Sequence, residues 1–288
     1  MAVTSMSKSS IRNPTKYNRM YANFSENFPA SLTYLVIGGG GSGGAAQNPG
    51  NGGGGAGGYR TNVVGESSGG GASAEDPLYV NPLQTFSLSI GAGGAGVSQT
   101  SSGNPGVSTT FGTIVSEGGG RGGTNTTGGS GGSGGGSGIW NFSGTRLGGA
   151  GTEGQGFRGG NMSGTGAERY GSGGGGAGGP GQDRTNSSSN GGAGLSSSIT
   201  GSAIFRAGGG AGRSSPSGAS PGVGQDQAGG GGNAGLTSSS SGQAGVVIFT
   251  LPSSINVSFS VGITQTSMTV GADTAYIVTA GAGTVTIG

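Results

Sequence analysis

The chain has 288 residues, 78 of them Gly, with 29% apolar residues, 8% charged residues and a formal net charge of +2. It contains no Cys and no His, which excludes disulfides, thiolate and imidazole metal sites, and catalysis by a Cys nucleophile or a Ser-His-Asp triad. No apolar run reaches the ~18 residues of a membrane-spanning helix, so membrane insertion is not expected.

The first 31 residues carry most of the positive charge. Lys8, Arg12, Lys16 and Arg19 stand against Glu26, giving 4 − 1 = +3, while the remainder gives 8 − 9 = −1. This segment lacks the apolar core of a signal peptide. Tyr17, Tyr21, Phe24 and Phe28 add four aromatics within twelve residues. A solvated tail is the plain reading. A docking arm, with Arg12, Lys16, Tyr17, Arg19, Tyr21, Phe24 and Phe28 as its contacts, accounts better for the aromatics.

Ser31–Ile37, "SLTYLVI", reads as a strand stopped by Gly38. Glycine tracts follow at 38–44 and 52–58, and strand character resumes at Tyr59–Val64. In Pro77–Ile90 the side chains of Phe86, Leu88 and Ile90 alternate with Thr85, Ser87 and Ser89, the period of a half-buried strand. Gly106–Gly120 predicts a further strand or hairpin. From about 118 to 245, glycine tracts alternate with short inserts such as "IWNFSGTRL", "NMSGTGAERY" and "QDRTNSSSN". Ala244–Pro252, "AGVVIFTLP", is a continuous apolar strand of the same character as Tyr34–Ile37 and suited to pair with it. After Pro252 the Thr- and Val-rich tail predicts three to four strands, with turns at 271–273 and 280–283.

Glycine loses more backbone freedom on folding than any other residue and buries no side chain in return. Such tracts can form a solid body only if their amides bond laterally, as in packed three-residue-per-turn helices. A strict Gly-X-Y repeat is absent and Pro is sparse, which rejects collagen. The expected fold is therefore mainly β with extensive irregular structure: a polyglycine II bundle framed by short β-strands, and essentially no α-helix. The expected units are the arm (1–31), the glycine-rich domain (32–252) and a small C-terminal β unit (253–288).

Motifs of chemistry are weak. G-x-G-x-x-G matches arise by chance in any glycine field, and none leads into a helix. The two Arg-Gly-Gly sites, at Arg121 and Arg158, lie in a region of slightly negative charge, against nucleic-acid binding. Adjacent Glu75 and Asp76 would face opposite sides of a strand. No catalytic residue, metal ligand or cofactor is assigned. The inserts carry the stronger signal, because aromatics and Arg dominate binding surfaces. Trp140, Phe142, Arg146, Phe157, Arg158, Tyr170, Phe205 and Arg206 are the candidate binding contacts. Capping of the bundle ends is the alternative role for each.

The sequence "TYLVIGGGGSGGAAQNPGNGGGGAGGYR…FSLSIGAGGAG…STTFGTIVSEGGGRGG…GQAGVVIFTLP", over about Leu32 to Pro252, resembles the glycine-rich domain of bacteriophage tail fibres and related virion proteins. Its alternating tracts and inserts are also similar to the receptor-recognising adhesins of T-even phages. The resemblance implies stacked polyglycine II layers whose loops meet a host receptor, protein or glycan. It further implies a virion location, attachment to other virion proteins through the arm, and a homotrimer. A purely structural virion component is the alternative.

Overall fold

The computed structural model describes residues 29–47, 50–140, 144–164, 169–184, 189–213 and 220–288. In chain order the strands begin with β1 (Ala30–Ile37), β2 (Tyr59–Thr61), β3 (Leu78–Val80), β4 (Gln84–Ser89), β5 (Thr109–Phe111) and β6 (Ile114–Ser116). Short strands follow within the inserts: β7 (Gly138–Trp140), β8 (Gly144–Arg146), β9 (Met162–Gly164), β10 (Arg169–Gly171), β11 (Leu195–Ser197) and β12 (Ile204–Arg206). The last five are β13 (Val246–Pro252), β14 (Val257–Phe259), β15 (Thr264–Val270), β16 (Asp273–Ala280) and β17 (Ala282–Ile287). The described residues contain no α-helix, only a 3₁₀ turn at Gly69–Gly71.

Two antiparallel sheets face each other. One runs β15-β16-β13-β1-β2, with β3 also paired to β1, and the other runs β14-β17-β4-β5-β6. Between them lies a core of Leu32, Tyr34, Val36, Val247, Phe249 and Leu251 against Phe86, Leu88, Phe111, Val285 and Ile287. Stacked rings run through it, with centroids 5.0 Å apart for Phe86–Phe111, 5.4 Å for Phe111–Phe249 and 5.1 Å for Phe249–Tyr276.

The expected pairing of β1 with β13 is present, antiparallel from Thr33↔Thr250 to Ile37↔Val246. Both strands read as unbroken apolar runs because both of their faces are covered. The opposite face, with Leu35, Ile37, Val246 and Ile248, packs on Ala56, Tyr59, Ala177, Ile199 and Ala207 from the glycine region. The half-buried alternation of β4 also holds, with Phe86 and Leu88 buried and Thr85 and Ser87 exposed. Residues 106–120 form the β5–β6 hairpin, turning at Gly112 with φ 59°. The four strands after Pro252 are shared between the sheets: β16 pairs with β13 and β17 with β4.

The glycine tracts bond as a lattice with a period of three. Within 38–46, Gly38, Gly41 and Gly44 donate to Gly58, Gly55 and Gly52. Gly39, Ser42 and Ala45 donate to Val107, Asn104 and Ser101, and Gly40 and Gly43 to Gln243 and Ser240. The carbonyls of the same tract accept from Gly119 and Gly122, from Gly94, and from Gly232 and Gly235. Three neighbours are therefore reached by donation and three more by acceptance. Residues 52–58 repeat the arrangement, donating in turn to 117–123, to 172 and 175, and to 232 and 229. Amides facing three directions in succession leave no buried donor orphaned along the tract. None of the glycines in 38–44 or 52–58 has positive φ, so their role is to omit a side chain rather than to adopt a left-handed conformation.

Candidate functional site

The lattice has two ends. Each tract starts or stops either at the β-sandwich or at a distal end, where the chain reverses. Distal reversals are tied by isolated bridges Ala45↔Ser101, Ala45↔Gly235, Asn51↔Thr124, Asn51↔Arg213 and Ser98↔Ser238. Fully buried Asn51 pins this end, its Nδ2 donating to the carbonyls of Ala46 (3.2 Å) and Gly235 (2.7 Å).

Two small two-stranded sheets lie toward the distal end. In one, β7 pairs with β10, placing Trp140 opposite Arg169 and Tyr170 opposite Ile139. In the other, β8 pairs with β9, placing Arg146 opposite Met162. Ile139 and Met162 are buried and anchor these sheets. The guanidinium carbon of Arg184 lies 3.1 Å from the ring centroid of Tyr170, a cation–π contact. Its backbone N–H donates to the carbonyl of Asn161 at 3.0 Å. Arg146 donates to Asn125 Oδ1 at 3.4 Å, and Asn125 itself has φ 50°.

Beside these small sheets Arg158 grips Asp183 through two bonds, Nη1 to Oδ1 at 2.7 Å and Nη2 to Oδ2 at 3.1 Å. Asp183 Oδ1 also accepts from the backbone N–H of Asn161 at 2.7 Å. The hydrogen bond from Arg158 holds the Asp183 carboxyl below the usual carboxylate range, and the same bond raises the Arg158 guanidinium.

The remaining candidates lie elsewhere. Phe157 is half-buried along the lattice, with its N–H donating to Gly176 and its ring edge beside Gly71. Phe205 and Arg206 belong to the β11–β12 hairpin at the sandwich end. Phe205 is exposed there, but Arg206 is buried, and that burial lowers its pKa. The candidates thus divide: Trp140, Arg146, Arg158 and Tyr170 gather toward the distal end, and Phe157, Phe205 and Arg206 do not. Phe142 and the arm residues Arg12, Lys16, Tyr17, Arg19, Tyr21, Phe24 and Phe28 lie outside the described residues.

Two distal features were not singled out from the sequence. Arg184 sits in the polar insert "QDRTNSSSN", and nothing in the sequence marks Tyr170 as its partner across the fold. An open depression of about 660 Å³ is lined by Gln47, Ser98, Gln99, Thr100 and Ser101, residues that look like ordinary linker. Glu75, by contrast, is fully engaged at the sandwich end. Arg60 binds both of its carboxylate oxygens at 2.6 and 2.8 Å, and the Tyr34 hydroxyl donates at 2.7 Å.

Comparison with curated proteins finds no match. A family model described as "Glycine-rich domain" matches residues 21–252. With that match spanning most of its length, the chain belongs to the glycine-rich domain family.

Proposed function

We propose that this is a bacteriophage virion protein, a tail fibre or adhesin whose distal loops contact a receptor on the host surface. The single observation that carries the reading is the period-three amide lattice, with reversals collected at one end and a β-sandwich closing the other. Three residues per turn and lateral amide bonding are the properties of polyglycine II, and the absence of positive φ in the two central tracts agrees with it. A lattice of this kind holds loops in place before a partner arrives, which reduces the entropy lost on binding.

In this reading the protein binds rather than catalyses and works outside the cell on the phage particle. Residues 1–31 attach it to other virion proteins. A homotrimer would multiply weak contacts, since linked sites can exceed single-site affinity by roughly 10²–10⁴. Among the receptor candidates, Arg146, Arg158 and Tyr170, with Trp140 on the strand paired to that of Tyr170, hold the suitable position. The test is adsorption: purified protein should coat host cells and compete with intact virions. If it does neither, the protein is a purely structural part of the particle.

A further inference from the structure

The distal depression is built from side chains of one kind. Gln47, Ser98, Gln99, Thr100 and Ser101 supply amides and hydroxyls, and among the described residues no charged or large apolar side chain lines it. Each of these groups both donates and accepts hydrogen bonds. Its volume of about 660 Å³ is within the ~300–1,000 Å³ range of small-ligand sites, yet such sites are ordinarily lined by apolar and aromatic groups. Among the described lining residues an apolar ligand finds nothing to bury against, a phosphate or carboxylate no cation, and a cationic ligand no carboxylate. The matching chemistry is a neutral molecule dense in hydroxyls.

The loop is also held in shape before any ligand binds. Ser101 and Ala45 exchange both backbone bonds, at 2.8 and 2.9 Å. Gln99 donates to the carbonyl of Thr237 at 3.0 Å, and the Thr124 hydroxyl donates to the carbonyl of Ser101 at 2.9 Å. Gln99 itself is held at φ 61°, a conformation uncommon for a residue with a side chain and one that only its surroundings can impose. The lining side chains are exposed, while the backbone that carries them is fastened to three neighbouring segments.

We propose that this depression is a binding site for a neutral saccharide. The inference rests on the reading that the distal end faces the host, and it names the ligand class that this end would recognise. Hydrogen bonds made in water contribute modestly, so single-site binding is weak and depends on copy number.

The test is retention of the full chain on an array of neutral and anionic glycans, with Gln99→Asn/Thr100→Val as the variant. Asn tolerates positive φ, and Val keeps the shape of Thr without its hydroxyl. The expected result is retention on neutral glycans only, weakened about tenfold in the variant at an unchanged melting temperature. Should that variant melt lower, Gln47→Ala, on the facing side, gives the same reading. Retention on anionic glycans alone, no retention at all, or variants that bind like the parent would overturn the proposal. A protein that coats host cells yet fails on the array leaves the adhesin reading intact and removes only the saccharide site. One that fails both removes both.

Discussion

Gly54 shows what the absence of one methyl group permits. A Cβ built there would fall on the carbonyl oxygen of Gly41, and one built on Gly41 would fall on the carbonyl of Gly120. These neighbours are main chain, so they cannot turn aside as a side chain could. Gly54→Ala should destabilise by about 1–3 kcal/mol or more through overpacking, seen as a lower melting temperature. The same substitution at Gly65, where nothing lies within 4 Å, should act only through that residue's φ of 83°. At the distal end, Asp183 gives a test of sign. Its folded pKa lies below the unfolded carboxylate value of ~3.9, so its contribution is full above that pH and fades as pH falls through the lower folded value. Both side chains of the pair are 45% exposed, which limits the effect to less than about 1 kcal/mol. Asp183→Asn should therefore melt slightly lower than the parent at pH 7, and the two melting temperatures should converge as the pH falls below the lowered folded pKa. Faster exchange of the Asn161 amide in the variant would locate the loss.

Among the elements, β13, like its partner β1, links the two apolar clusters of the molecule. One of its faces contributes Val247, Phe249 and Leu251 to the sandwich core, and the other contributes Val246 and Ile248 to the contact with the glycine region. Phe249→Ala should cost about 3–5 kcal/mol, measured by denaturant unfolding, because the ring is fully buried and stacked on both Phe111 and Tyr276. Removing residues 253–288 would strip β16 from one sheet and β17 from the other, so the shortened chain should lose its cooperative unfolding transition. The strands were the legible part of the sequence. The matched apolar runs of β1 and β13 and the alternation in β4 carry their burial on their side chains. The place of the tail strands was less visible, since β17 meets β4 across about two hundred residues and no local pattern marks a partner so distant. The lattice neighbours were not legible at all, because glycines carry no side chain to tell one tract from another. Trp140, Arg146 and Tyr170 could be picked out as aromatic and basic residues in inserts, but their grouping, and the separation of Phe205 and Arg206 from them, follows only from the direction in which each tract runs.

For the whole molecule, cohesion comes from two different sources. The sandwich is held by buried apolar side chains, each worth ~1.5–3 kcal/mol. The lattice depends on lateral amide bonds that must offset the ordering of a glycine backbone, the most costly of any residue to fix. It relies on the sandwich at one end and on contacts such as those of Asn51 at the other. Amide exchange should accordingly be slow through 38–46 and 52–58, which are enclosed by neighbouring tracts and donate at every position. Uniformly fast exchange would show that the lattice does not exist in solution. The period of three has one more effect. If a glycine tract slid by one full turn, nearly every bond it makes would find an equivalent acceptor, so the tract itself hardly distinguishes the correct alignment from its copies. Alignment must be dictated from outside, by a few bulky or amide side chains acting as stops. Refolding from denaturant is then expected to yield mis-threaded forms that anneal slowly, and substitution of the buried Asn51 should increase their share more than it lowers the stability of the correctly threaded protein.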